Sequence, residues 1–424
     1  MRFVRRERID ESMAAKPTKP IRDADIVGLK YFDRLMPLLE RLHDVGTQRD
    51  HAGNRTLFFD QYCAYLLLFL FNPIVTSLRG IQQASQLKRV QKRLGCPRAS
   101  LGSLSEAVEV FDPEPVKQIA RELAGQLQPL AGERRFPEVQ HLVTAVDGTV
   151  VQTLSRLVQA AYLKSWSDGR SLSGWRLHTH FEVERGLPVR IDVTGAGNHG
   201  AADERVVLRK ALEPDRCYVL DRGYAAFSLF NAIVAAGSSY VCRVRDNSVY
   251  EVLEARPLTP EAQQARVAFD GVVRLGRERR VGELPQHPLR LVLVQTTPHA
   301  KRGKRGKQGG GTAGPRSDGV LRLATNLLDA PAEVIAFIYQ QRWTIEIFFR
   351  FLKHILGCRR LLSTDPVGIE IQAYCAIIAC LLIALWTGKK PTKRTYEMIC
   401  LYFIGWADEE ELLDHLKKLQ AQDA

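Results

Sequence analysis

The sequence predicts an α/β protein, a mixed-sheet domain with a β-rich insertion, preceded by an all-α N-terminal domain. Three observations lead there. From Asp25 to about Leu130 apolar residues recur at helical spacing, and no run reads convincingly as a strand. From about Val139 the pattern changes to short runs of β-formers between turn residues, three in succession and then alternating with helices. Between 247 and 318 further short strands and a basic, glycine-rich stretch interrupt that alternation. The predicted domains are 1–135, helical; 136–246 with 319–386, the sheet domain; 247–318, the insertion; and 387–424, a helical tail.

In chain order, residues 1 to about 25 read as a polar, basic arm without the apolar core of a signal peptide. Leu57–Phe71 is a buried helix ended by Asn72-Pro73. Ser77–Leu94 is a basic helix carrying Arg79, Lys88, Arg89, Lys92 and Arg93, with Gly95 as its C-cap. Ser103-Leu-Ser-Glu106 reads as a capping box opening a helix to about Phe111. These two helices, joined by Gly95–Leu101, fit a DNA-binding helix-turn-helix as well as they fit two members of a bundle. His141–Val146 is a strand ending in Asp147-Gly148-Thr149, and Trp175–Val183 with Leu187–Thr194 makes a hairpin about Glu184-Arg185-Gly186. A helix follows over Asp203–Leu212, then a strand Arg216–Leu220 ending in Asp221, a helix Ala225–Ala236 and a strand Ser239–Val244. The insertion offers Tyr250–Leu253, Gly271–Leu275, Leu289–Gln295 and the cationic run Lys301–Lys307. Leu321–Thr325 resumes the sheet, Tyr339–Lys353 is one helix, and Ile369–Trp386 is a long apolar helix behind it.

A formal charge of +13 and a pI near 9.4 favour a polyanionic partner, either nucleic acid or an anionic membrane surface. The apolar runs Tyr62–Phe71 and Tyr374–Trp386 fall short of the roughly 20 residues that cross a bilayer, so no membrane is expected. Eight scattered cysteines without a CxxC indicate neither a zinc ribbon nor a disulfide framework, and suit a reducing cytosol. No GxxxxGK[ST] is present, which excludes a P-loop.

The residues able to do chemistry gather at two strand ends and on one helix. At about 100° per residue, Tyr339, Arg342, Glu346 and Lys353 share an arc of roughly 60°. Ile345, Phe348, Leu352 and Leu356 form the buried side. Alone, such a face reads as solvated, with helical ion pairs. Asp147 and Asp221 each close a predicted strand, where a lone aspartate usually caps a turn. Two of them in one sheet, with Glu346, make three carboxylates able to hold a pair of Mg2+ ions. Ions about 3.5–4 Å apart activate the attacking and leaving oxygens of an in-line displacement at phosphorus. Arg342 and Lys353 would grip the non-bridging oxygens.

The order Asp147-Gly-Thr, Asp221-Arg-Gly-Tyr224, then Tyr339-x2-Arg342-x3-Glu346-x6-Lys353, resembles the DDE transposases of bacterial insertion sequences. It is similar in particular to the large "insertion sequence four" family. The matches extend to Gly174–Thr194, Tyr240-Val-Cys-Arg243 and Thr325-Asn326, covering roughly 140–246 and 320–385. The resemblance implies a ribonuclease-H-like fold with Asp147, Asp221 and Glu346 as the catalytic, metal-binding triad for two Mg2+ ions, which Mn2+ can replace. It implies DNA-backbone contacts from Arg342 and Lys353 near the cut, and a phosphate contact from Tyr339. The implied partners are the terminal inverted repeats of the element and target DNA, handled by a homodimer on the nucleoid of the bacterial cytoplasm. The implied reaction frees a 3′-hydroxyl, cuts the second strand through a hairpin intermediate, and joins the excised element to target DNA.

Well-known relatives place a tryptophan in the insertion to stack on a flipped base. Here none lies between Trp175 and Trp343. That leaves Trp343 either to stack on a base or to pack the helix edge, with Tyr250 and Phe269 the aromatics of the insertion. Arg222 is placed on DNA or on Asp221. His178, His180 and His199 read as structural or DNA-facing, since no further ligand has metal-site spacing. Asp168, Asp192 and Asp246 read as solvated. Two rivals stand beside the transposase reading: an inactive descendant that only binds DNA ends as a repressor, and a nuclease of the same fold that cuts without strand transfer.

Overall fold

The computed structural model describes residues 30–51, 53–127, 136–152, 174–195, 200–276, 284–296, 319–355 and 361–421. Six helices come first: α1 (Lys30–Glu40), α2 (Phe59–Phe71), α3 (Leu78–Ser85), α4 (Lys88–Leu94), α5 (Leu101–Val110) and α6 (Glu114–Gly125). Then come β1 (Leu142–Gln152), β2 (Gly174–Glu182), β3 (Leu187–Gly195), α7 (Glu204–Lys210), β4 (Arg216–Leu220), α8 (Phe227–Ala235) and β5 (Ser239–Arg243). The insertion supplies β6 (Tyr250–Ala255), α9 (Pro260–Gln264), β7 (Val267–Leu275) and β8 (Leu289–Gln295). The chain closes with β9 (Val320–Thr325), α10 (Ala332–Gln341), α11 (Trp343–Ile355), α12 (Pro366–Thr387), α13 (Lys393–Phe403) and α14 (Glu409–Ala421).

The nine strands among the described residues join one sheet in the order β3-β2-β1-β4-β5-β9-β8-β7-β6. The pairs β1–β4 and β4–β5 are parallel and the others antiparallel, so the expected mixed α/β architecture is present. The strands of the insertion extend this sheet, because β8 pairs with β9 along its length. Side chains alternate between its faces. Val143, Ala145, Cys217, Val219 and Val241 point to the face covered by α10, α11 and α12. Val146, Tyr218, Leu220, Tyr240 and Cys242 point to the other, with Leu208 of α7 and Leu229, Phe230 and Ile233 of α8.

Helix α12 begins where the Asp365 carboxylate accepts from the N–H groups of Val367 and Gly368, and stops at Gly388 in the left-handed region. Its 22 residues exceed the 13-residue run read from the sequence and are long and apolar enough to span a bilayer, yet 89% of the most apolar window is buried inside the protein. It packs on α2, α6 and β3. One hydrophobic core thereby runs from Leu35 through the sheet to Leu416. Burying each large apolar side chain contributes on the order of 1.5–3 kcal/mol, which explains an apolar helix at the centre of this core.

Several local expectations are corrected. β1 does not end before Asp147; it continues to Gln152 because β2 pairs with it throughout, from Thr144↔Glu182 to Gln152↔Gly174. The basic helix is two, α3 and α4, separated where the Gln86 N–H turns back to Gln83 and Ala84. α5 is capped by Ser100, whose Oγ accepts from the Ser103 N–H at 2.9 Å, three residues before the expected box. Tyr339–Lys353 is broken at Arg342. There the Arg342 N–H bonds Tyr339 O at 3.1 Å and the Ile345 N–H bonds Arg342 O at 3.2 Å, a tighter i→i+3 turn between α10 and α11. The N-terminal arm, Asp168, His199, Lys301–Lys307 and Leu356 lie outside the described residues.

Candidate active site

Strand register brings the two aspartates together. The parallel pairing of β1 with β4 ends at Val146↔Leu220, so the next residue on each strand is Asp147 and Asp221. Both share the side of the sheet that Ala145 and Val219 face, the side covered by α11. Ile345 and Leu352 anchor α11 there with no exposure, which leaves Glu346 at its margin, its side chain 38% exposed. Arg342, at the break between α10 and α11, reaches across. One guanidinium nitrogen, Nη1, stands 3.1 Å from Asp147 Oδ2 and 3.6 Å from Glu346 Oε1. The Tyr339 hydroxyl donates to Asp221 Oδ1 at 3.4 Å.

Burial raises the Asp147 pKa to about 6, against the Gly148 N–H and Arg342, which favour the carboxylate; the charges of Glu346 and Asp221 add to the rise. The Gly148 N–H donates to Asp147 Oδ1 at 2.8 Å. Burial and the Asp221 charge push the Tyr339 phenol up. Burial works against the Arg342 charge, but Tyr339, Asp221, Asp147 and Glu346 outweigh it and hold its pKa above the usual value. Three carboxylates without thiol or imidazole form a hard-oxygen donor set of the kind Mg2+ takes. Among the described residues no three His, Cys, Asp or Glu side chains converge closely enough to hold a metal ion; Arg342 stands between two of these carboxylates.

These observations meet a family model. Residues 138–382, more than half of the chain, match the transposase DDE domain. The chain belongs to this family. The chain is 28% identical over 221 residues to a Sinorhizobium fredii protein described as a transposase, y4zB, covering 52% of this chain and 55% of that protein. A transposase for insertion sequence element IS5377 of Geobacillus stearothermophilus is 27% identical over 274 residues, covering 64% and 62%. A transposase for element IS4SA of Synechocystis is 41% identical over 108 residues, covering 24% and 27%. The match thus spans between half and two thirds of the first two relatives' length. A solved piggyBac transposase synaptic complex with hairpin DNA is similar at a TM-score of 0.39 and 11% identity over 92% of this chain and 84% of that one, a distance at which the likeness carries no argument.

Within the transposase domain the other singled-out residues fall apart from the cluster or at its rim. Lys353 and Arg222 are exposed, the latter in the short turn after Asp221. Trp343 is 56% exposed, with the Arg350 guanidinium 5.8 Å from its ring centre. A cavity of about 460 Å³ opens beside it, lined by Phe337, Tyr339, Arg342, Trp343, Val294 and Leu321 among others. Tyr250 and Phe269 pack on each other at 6.3 Å. His178 and His180 are buried: His178 Nε2 bonds the Thr194 hydroxyl at 2.8 Å, and His180 meets the Tyr218 ring edge-on. Asp192 and Asp246 are half-buried partners of Arg190 and Arg243, not solvated. The sequence reading missed Arg176 and Glu204, which pair behind the aspartates. Gly148, directly after Asp147, and Gly223, two residues after Asp221, were the signal that could have found them.

Proposed function

We propose that Asp147, Asp221 and Glu346 are the catalytic and metal-binding triad of a ribonuclease-H-like transposase that cleaves the terminal inverted repeats of its own element and joins them to target DNA. The observation that carries this is the register that sets Asp147 beside Asp221 on the face bordered by Glu346. The strand order β3-β2-β1-β4-β5, antiparallel and then parallel, supports the fold named here. Asp147, Asp221 and Glu346 would hold two Mg2+ ions, or Mn2+ in their place, whose charge would make the attacking hydroxyl or water more acidic and stabilise the leaving oxygen. Arg342 is placed to move from its carboxylates to a phosphate, and Tyr339 keeps Asp221 oriented while its buried phenol stays protonated. Lys353 and Arg222, both exposed, neutralise the flanking backbone. Trp343, on the wall of a cavity that Phe337 and Tyr339 also line, offers a face on which an unpaired base can stack. The +13 charge fits a polyanionic partner, and the exposed Arg79, Lys88, Arg89 and Lys92 of α3 and α4 fit duplex binding outside the cut. Pairing two element ends calls for a homodimer, and second-strand cleavage through a hairpin belongs to the same proposal.

The test uses the purified protein, Mg2+ and a labelled duplex carrying the terminal repeats. Cleavage, a hairpin product and joining are expected, with Glu346→Gln abolishing all three and leaving end binding intact. Cleavage by Glu346→Gln at the wild-type rate would remove that residue from the triad. Cutting without joining would favour a nuclease, and binding without cutting a repressor.

A further inference from the structure

On the sheet face opposite the three carboxylates, α7 lays its first residue, Glu204, into the crevice between β1 and the turn that follows β4. Arg176 of β2 donates to Glu204 Oε1, and the two side chains are only 17% and 15% exposed. Gly148 makes the room. A Cβ there would stand 2.6 Å from Glu204 Oε1 and 3.3 Å from Arg176 Cδ. The other carboxylate oxygen faces Gly223, where a Cβ would stand 3.8 Å away. One carboxylate therefore packs on the residue after Asp147 and on the second residue after Asp221.

The contact matters because of what those backbones hold. The Gly148 N–H that orients Asp147 Oδ1 at 2.8 Å belongs to the residue on which Glu204 rests. The turn containing Gly223 is closed by the Tyr224 N–H on Asp221 O at 3.0 Å, and the Tyr224 ring is buried beside it. A largely desolvated ion pair is a costly way to fill a crevice that apolar side chains could fill as well, so stability alone does not explain it. We propose that Glu204, fixed by Arg176, is a positioning residue that sets the backbone behind both Asp147 and Asp221, and with it the geometry of the cation site. The inference rests on the assignment of those aspartates as metal ligands.

The test compares full-length wild type with Glu204→Gln, Glu204→Asp, Gly148→Ala, Glu204→Ser, the double variant Gly148→Ala/Glu204→Ser, and Asp147→Asn. Mn2+ binding is followed by the electron paramagnetic resonance of the free ion, beside thermal melting, end binding and the Mg2+ dependence of cleavage. Glu204→Gln, which keeps an amide oxygen for Arg176 to donate to, should stay folded with a lowered melting temperature and bind DNA like wild type, yet need about tenfold more Mn2+ for half-saturation, the usual scale for a residue that orients a ligand. Gly148→Ala should weaken the site similarly by displacing Glu204, while adding no further defect to Glu204→Ser. Glu204→Asp, with its carboxylate withdrawn by one methylene, should shift in the same direction and serves if Glu204→Gln does not fold. Wild-type Mn2+ titration in Glu204→Gln or Glu204→Asp, or full additivity in the double variant, overturns the proposal. Wild-type Mn2+ binding by Asp147→Asn would instead overturn the metal-site reading beneath it.

Discussion

Arg342 stands 3.1 Å from Asp147 and 3.6 Å from Glu346, so one cation opposes the rise that burial first, and the Glu346 and Asp221 charges after it, impose on Asp147. Arg342→Gln removes that cation and, if the proposed function holds, a phosphate ligand with it, so single-turnover cleavage should slow about a hundredfold, the scale for losing one preorganised charge-stabilising donor. Burial lowers the pKa of His178 to about 4 and of His180 to about 3. Both histidines take up protons more readily unfolded than folded, so stability is full above pH 6.5 and falls as pH drops toward 4 and below. His180→Phe, keeping a ring against Tyr218, should flatten the acid limb of a plot of melting temperature against pH; an unchanged limb would exclude the histidine as its source. Asp147, Asp221 and Glu346 were legible as candidates at this scale because carboxylates beside turn residues and at helical spacing leave a local pattern. Tyr339 was legible as part of the motif but not as a buried side chain, and Glu204 was not legible at all.

Among the elements, the loop before α10 decides how Tyr339 and Arg342 are delivered. Arg290 of β8 and Asp270 of β7, 2% and 5% exposed, form a two-point pair at 2.6 and 2.7 Å. Arg290 also donates to the carbonyls of Leu327, Leu328 and Ala330, fastening the strands of the insertion to that loop. Asp270→Ala leaves a buried guanidinium without its counter-ion and should cost about 3–5 kcal/mol in urea denaturation. A loss under about 1 kcal/mol would mean that the carbonyls and water suffice. Helix and strand existence was readable from periodicity, and boundaries less so. β1 outran its expected end because its partner β2 supplied hydrogen bonds past Asp147, and the break at Arg342 has no counterpart in the periodicity of Tyr339–Lys353.

For the molecule as a whole, α2 and α6 cover α12, so the N-terminal helices and the sheet share one core. A fragment beginning at residue 136 would expose that apolar helix, and it should aggregate or lose its cooperative melting transition in calorimetry; a fragment that melts like the full chain would show an independent N-terminal domain. Replacing Arg79, Lys88, Arg89 and Lys92 together by Gln should weaken duplex binding across sequences. For each phosphate left without its cation, the slope of log affinity against log salt should become shallower by about 0.9. An unchanged slope would place the duplex elsewhere on the basic surface.

The sequence alone determined the α/β class, the basic character, and the identities and order of Asp147, Asp221, Arg342 and Glu346, since composition, periodicity and motif spacing are properties of neighbours along the chain. Only the tertiary structure decided that Asp147 lies beside Asp221, that β6 to β8 extend the same sheet, that the apolar α12 is a core helix, and that Glu204 reaches the crevice behind both aspartates. Those are matters of strand register and of which face a side chain takes. Both are settled by pairing between segments far apart in sequence, and a shift of one residue would reverse every face.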